Sequence, residues 1–160
     1  MARIEARLEE LGLVLPEPPK MPPNVRLPFA MVNVRGNVAY VAGHGPQNED
    51  GSFSEITGKV GNEVSVDDAY VLARKTGLSM LASLKRTLGD LDRVSGWGRI
   101  FGMVNSAPGF GDQPAVINGC SDLIHEVFGA DIGCHARSAV GMAELPFGIA
   151  VEIEADVLIE

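Results

Sequence analysis

The sequence predicts an α+β fold in which one sheet carries two helices on a single face. Three observations lead there. Two segments with helical periodicity, opening at Ser65 and Asp112, are long and clearly bounded. Strand-like apolar runs surround them in the order strand, strand, helix, strand, helix, strand, strand. The last run alternates, with Ile149, Val151, Ile153, Val157 and Ile159 on one side and Glu152, Glu154 and Asp156 on the other. The face without helices is then left to solvent or to a subunit contact.

Ile4, Leu8 and Leu11 recur at helical spacing among charged residues and stop at Gly12, which predicts a short amphipathic helix as an N-terminal appendage. Residues 16–28 hold six prolines in thirteen positions, too many missing N–H donors for a helix or a central strand, so they form an extended connector. We therefore expect an N-terminal helix and proline-rich connector over 1–27 and one folded domain over 28–160. Met31–Val34 and Val38–Ala42 flank Gly36-Asn37 and predict a hairpin. Residues 47–63 are polar and glycine-containing, a loop with one short edge strand near Lys59-Val60.

Ser65 caps the first long helix, with Asp67 and Asp68 in the first turn where the dipole favours them, and Gly89 ends it. Val94–Val104 predicts a strand containing Trp97 and Ile100. Asp112 as cap and Pro114 in the first turn open the second helix, which Gly129 ends. Strands over 136–144 and 149–159 close the chain through Leu145-Pro146-Phe147-Gly148. Pairing Glu144 with Ile149 across that turn places Arg137 on the same face as Glu152, Glu154 and Asp156.

Composition narrows the function classes. The chain has 160 residues, 46% of them apolar, which suits one soluble domain. Acidic groups exceed basic ones by 21 to 13 and the longest basic cluster is Lys85-Arg86, so nucleic acid is not an expected partner. No apolar run reaches the roughly 20 residues of a membrane span, and the charged N-terminus lacks the apolar core of a signal peptide. With Cys120 and Cys134 the only cysteines, a cytoplasmic protein without disulfides is expected. Cys134-His135, His125 and His44 match no metal-ligand spacing, and no glycine-rich phosphate loop precedes a helix, so neither metal nor cofactor is expected.

The closing residues carry the most information: Arg137-Ser138-Ala139-Val140, then Leu145-Pro146, then Val151-Glu152-Ile153-Glu154. This resembles the RidA family, also called the YjgF type, of reactive-intermediate enamine and imine deaminases, whose pattern is Arg-Ser-x-Val, Leu-Pro, and an apolar-Glu-Ile-Glu strand. Gly36-Asn37-Val38, Gly43-x-x-Pro46 and Asp50-Gly51 agree with the family's earlier hairpin and loop, and the resemblance covers about residues 28 to 160.

The resemblance implies a chorismate-mutase-like fold and a homotrimer, its sheets forming a central barrel with ligand sites between subunits. It implies that Arg137 holds a substrate carboxylate through two parallel charge-assisted bonds and that Glu152 orients or activates water. Asn118 matches a site asparagine, and backbone groups near Gly43 and Ala139 position the ligand. Phe29, Ala42 and Ala139 stand where such proteins carry Tyr, Ser and Cys, which removes three polar groups and suits a different or more apolar ligand. His44 replaces a Gln and adds a group titrating near neutrality.

Taken without the resemblance, Arg137 and Glu152 read as a cross-strand ion pair and a solvent-facing acid, Asn118 as a helix-surface amide, His44 as a loop histidine and Phe29 as core packing. The expected activity is hydrolysis of small carboxylate-bearing enamines and imines, of the 2-aminoacrylate type, to 2-oxo acids and ammonia. The alternative is a non-catalytic binding protein for small carboxylates or metabolites on the same fold.

Overall fold

The computed structural model describes residues 3–160. Helix α1 spans Arg3–Glu10. Strands β1 (Val32–Arg35) and β2 (Val38–His44) form the expected hairpin through Gly36, whose φ of 59° suits the turn. Helix α2 (Val66–Leu88) begins where Ser65 Oγ accepts the Asp68 N–H at 3.1 Å and ends at left-handed Gly89. Strand β3 (Val94–Asn105), helix α3 (Gln113–Ile132), strand β4 (Ala136–Met142) and strand β5 (Val151–Ile159) complete the chain. Between β2 and α2, residues 47–63 make single bridges, Val60 pairing with Val64 and with Ser106, in place of the expected edge strand.

The sheet order is β1-β2-β5-β3-β4. Strand β5 lies antiparallel to both β2 and β3, and β4 runs parallel to β3. The expected pairing of Glu144 with Ile149 is therefore wrong: β4 and β5 are separated by β3. The connection β3-α3-β4 is a strand–helix–strand crossover, which yields a parallel pair because the helix returns the chain to the strand's starting end. A short 3-10 turn, Pro146–Gly148, lies on the connection that carries the chain across the sheet.

Helices α2 and α3 pack together on one sheet face, over β2, β5, β3 and β4. Their close approach requires Gly119, where a Cβ would lie 2.0 Å from the Tyr70 carbonyl oxygen. Helix α3 runs past its expected end. Gly129, at φ 79°, kinks it, and the chain resumes helical turns to Ile132. Asp112 makes no side-chain cap bond, so Pro114 is the start signal that operates.

Helix α1 is part of the domain's packing, not an appendage. Ile4 and Leu8 are buried in the main core. Asp92 caps the helix from across the chain, accepting the Arg3 and Ile4 N–H groups at 2.7 and 2.8 Å, and Glu5 bonds Lys85 and the Leu91 N–H. The connector is extended and also fixed: Glu17 N–H bonds Glu49 O, Lys20 N–H bonds Gly51 O, and Arg86 reaches Pro16 O. Among the described residues no helix is long and apolar enough to cross a membrane.

Candidate functional site

The alternation of β5 sends Ile153 and Ala155 to the helices and Glu152 and Glu154 to the open sheet face. One irregularity shapes that face. Between Val41 and His44, β2 carries one more residue than β5, a bulge that turns Gly43 toward Glu152. A Cβ on Gly43 would sit 3.0 Å from Glu152 Cδ, so only glycine lets the carboxylate lie against the strand. Burial and then the neighbouring Glu154 push the Glu152 carboxyl above its ordinary 4.5.

Glu152 borders a cavity of about 190 Å³ whose other walls are mostly apolar, with Phe29, Gly43 and Ile149 beside it. Phe29 is 55% exposed, so it is a wall and not core packing. A broader, more open basin of about 520 Å³ adjoins it on the same sheet face, lined by Tyr40, Arg99, Phe101 and Glu154 among others.

Arg137 is elsewhere. Its register partner is Ile100, which pairs in turn with Ala155, so Arg137 points to the helix side of the sheet and not to the row of carboxylates. The expected shared face with Glu152, Glu154 and Asp156 came from the mistaken hairpin. Arg137 Nη1 donates to Asn118 Oδ1 at 2.8 Å and Ser121 Oγ at 3.1 Å, and Nη2 to the Pro114 carbonyl at 3.4 Å. Ala139 follows on the same side of β4, half-buried. Among the described residues Arg137 makes no ion pair. It is a half-buried cation oriented by three neutral oxygens, with donor capacity to spare.

Ser121 in turn is held by His135. His135 Nδ1 lies 2.7 Å from the Gly133 carbonyl and must donate to it, which leaves Nε2, 2.9 Å from Ser121 Oγ, as an acceptor. Ser121 therefore gives its proton to His135 and its lone pairs to Arg137. Burial, His125 and Arg137 keep His135 below its ordinary 6.5 and favour that neutral form. Sequence reasoning found Asn118 but missed Ser121 and His135. The available signal was spacing, since Pro114, Asn118 and Ser121 lie one turn apart on α3 and share a face.

His44 repeats the motif on the other helix. Nδ1 donates to the Ala42 carbonyl at 2.6 Å, and Nε2 accepts from Ser83, whose Oγ also receives Arg86 Nη2. Its ring nitrogens thus serve α2 although the residue borders the Glu152 cavity. Burial holds His44 below 6.5. Cys120 is buried and its thiol is pushed up to about 12, far from a reactive thiolate.

The residues singled out in the sequence fall into two clusters. Phe29, Gly43 and Glu152 meet at the cavity, with Ala42 beside it, while Arg137, Asn118 and Ala139 meet at the α3 edge.

Residues 5–150 match the family described as "YjgF/chorismate mutase-like, putative endoribonuclease". The chain is 39% identical over 153 residues to Protein TCP17 of Trypanosoma cruzi, covering 96% of this chain and 92% of that one. It is 40% identical to the solved protein Atu1372 of Agrobacterium tumefaciens, a protein of unknown function, with a TM-score of 0.85 over 98% of this chain and 92% of that one. The YjgF gene product of E. coli shares the fold at 19% identity and a TM-score of 0.59, over 91% and 97% of the two chains.

Proposed function

This chain belongs to the YjgF/chorismate mutase-like family, and from that premise we propose that it hydrolyses small carboxylate-bearing enamines and imines to 2-oxo acids and ammonia without a cofactor. 2-Aminoacrylate is the simplest such substrate. The observation that carries this reading is Arg137: a half-buried guanidinium, oriented by Asn118 and Ser121, that no carboxylate of the described residues neutralises. Such a group is prepared to accept a planar carboxylate through two parallel bonds.

Glu152 supplies the second part. A carboxylate with a raised pKa is a stronger base, and it accepts a proton from water as the water oxygen attacks the imine carbon. The same proton then passes to the nitrogen, which leaves as ammonia while the carbon becomes a carbonyl. Such hydrolysis is spontaneous at an appreciable rate, so positioning and electrostatic stabilisation suffice.

Arg137 and Glu152 project from opposite faces of one sheet. The reading therefore takes Arg137 from one copy of the chain and Glu152 from another, as in the homotrimer that the family resemblance implies. The open sheet face supports this association, because Val140 is exposed there beside the apolar Met103, Leu145 and Ile149 cluster, and Tyr40 and Leu158 are exposed further along the same face.

Freshly generated 2-aminoacrylate tests the proposal, with hydrolysis followed in the native protein, Arg137→Ala and Glu152→Gln. Losing the carboxylate grip is expected to lower kcat/KM by about 30-fold or more, corresponding to about 2 kcal/mol at the low end for a desolvated charge pair. Turnover unchanged in Arg137→Ala defeats the assignment. Ligand binding without any acceleration leaves a carboxylate-binding protein. RNA cleavage abolished by Arg137→Ala would favour the nuclease activity in the family's description, against which the net charge of −8 stands.

A further inference from the structure

Arg137 commits Nη1 to Asn118 Oδ1 at 2.8 Å and Ser121 Oγ at 3.1 Å, whereas Nη2 reaches the Pro114 carbonyl only at 3.4 Å and Nε makes no bond among the described residues. The edge left for a planar carboxylate is the one that Nε and Nη2 share, with two parallel donors. Where that edge faces is set by the two oxygens on Nη1. Asn118 is an exposed amide whose only side-chain bond among the described residues is to Arg137. Ser121 is buried and is held from behind.

A hydroxyl is a rotor with one proton and two lone pairs, and it serves a cation steadily only when its proton is directed elsewhere. His135, in the turn between α3 and β4, does this. Its Nδ1 donates to the Gly133 carbonyl at 2.7 Å, so the bare Nε2, 2.9 Å from Ser121 Oγ, takes the hydroxyl proton. In the other tautomer Nε2 would donate to the same oxygen and turn the hydroxyl proton loose. A charged ring would set a second cation on the oxygen that serves Arg137, with His125 also facing it at 5.4 Å between ring centroids. The same chain of histidine, serine and arginine recurs at His44, Ser83 and Arg86, where the guanidinium ends on the Pro16 carbonyl and brackets the connector to α2. At Arg137 it ends on unpaired donors.

We propose that His135 is a positioning residue for Arg137: its neutral ring, protonated on Nδ1, takes the Ser121 proton and so keeps the hydroxyl's lone pairs on the guanidinium. The inference rests on the deaminase reading for what the guanidinium grips, while the positioning itself is readable on Arg137 without turnover. His135 touches no reacting atom. Its loss weakens the hold on the carboxylate in the ground state and the transition state alike, which raises KM and leaves kcat nearly unchanged.

The test measures calorimetric binding of pyruvate and turnover of 2-aminoacrylate at about pH 8, where His135 is neutral. It compares the full chain with Ser121→Ala, His135→Phe, their double variant, and His135→Gln, whose amide oxygen still accepts the Ser121 proton. Ser121→Ala and His135→Phe are each expected to raise Kd and KM about 10-fold, within the ~100-fold that a misplacement of ~1 Å costs. The double variant is expected to lose no more than either alone, because both break one chain, and His135→Gln to stay within about 2-fold of the native protein. Native-like binding in His135→Phe, losses that multiply in the double variant, or a His135→Gln as weak as His135→Phe each overturn the positioning. The deaminase reading, judged by Arg137→Ala, then stands. If pyruvate is not bound and 2-aminoacrylate is not turned over, the deaminase reading falls and the positioning is read by NMR on the guanidinium. Slow rotation about the Nε–Cζ bond, giving separate Nη signals in the native protein and His135→Gln but not in Ser121→Ala and His135→Phe, upholds it, and the same behaviour in all four overturns it. The nitrogen shifts of native His135 need no variant: a ring protonated on Nε2 overturns the proposal even where His135→Phe fails to fold, and Ser121→Ala with His135→Gln then carries the comparison.

Discussion

Glu152 and His44 are titratable residues on opposite sides of the same bulge, and burial moves them in opposite directions because it penalises whichever form is charged. For Glu152 the charged form is the base. The acid limb of kcat/KM is therefore expected above the carboxyl's ordinary 4.5, and a pH–rate profile of Glu152→Gln should lose that limb together with most of the rate. For His44 the charged form is the acid, and its folded value is depressed below 6.5. As pH falls through 6.5, the unfolded chain takes up a proton that the folded state refuses, so stability declines toward acid. Melting temperatures measured between about pH 7 and 5 should fall less steeply in His44→Gln. Some slope should remain, since His135 is depressed in the same sense.

Among the elements, α1 shows how sequence-local and sequence-distant information differ. Its amphipathic pattern was legible from Ile4 and Leu8 at helical spacing, but its destination was not, because the residues that receive it, Lys85, Leu91 and Asp92, lie about eighty positions away. Leu8→Ala should cost about 2–5 kcal/mol of stability, the range for a buried leucine, read as a drop in denaturation midpoint. The strands were legible for the same reason as the helices, each pattern being local. The pairing of β4 was misread because Glu144 to Ile149 has the length and composition of a hairpin turn. The correct signal was the order β3-α3-β4, which favours a parallel crossover. That one error put Arg137 on the wrong face and hid Ser121 and His135, whose meaning depends on α3 lying above β4.

For the whole molecule, the separation of Arg137 from Glu152 is the feature with the largest functional reach. Neither cluster was legible as half of a site, since sequence patterns assign residues to faces and not to copies of a chain. If the site joins two copies around a ring, Arg137→Ala and Glu152→Gln are each strongly impaired alone but complement each other. Equal amounts unfolded and reassembled together should regain about a quarter of the native activity, because a junction works only when each side retains its own intact residue. Recovery at the level of either variant alone would place both residues in separate roles.

The position of β5 also bears on how the protein is made. It is the strand at the middle of the sheet, joined to β2 and β3, yet it is translated after both. As the chain leaves the ribosome, the β1-β2 hairpin and the β3-α3-β4 crossover can each form and be drawn together by the α2–α3 contact, but no strand joins β2 to β3 until β5 arrives. Until then β2 and β3 each expose a row of unpaired backbone groups, a state open to pairing with other chains. The nascent protein is thus most vulnerable to aggregation while most of its sequence has already emerged.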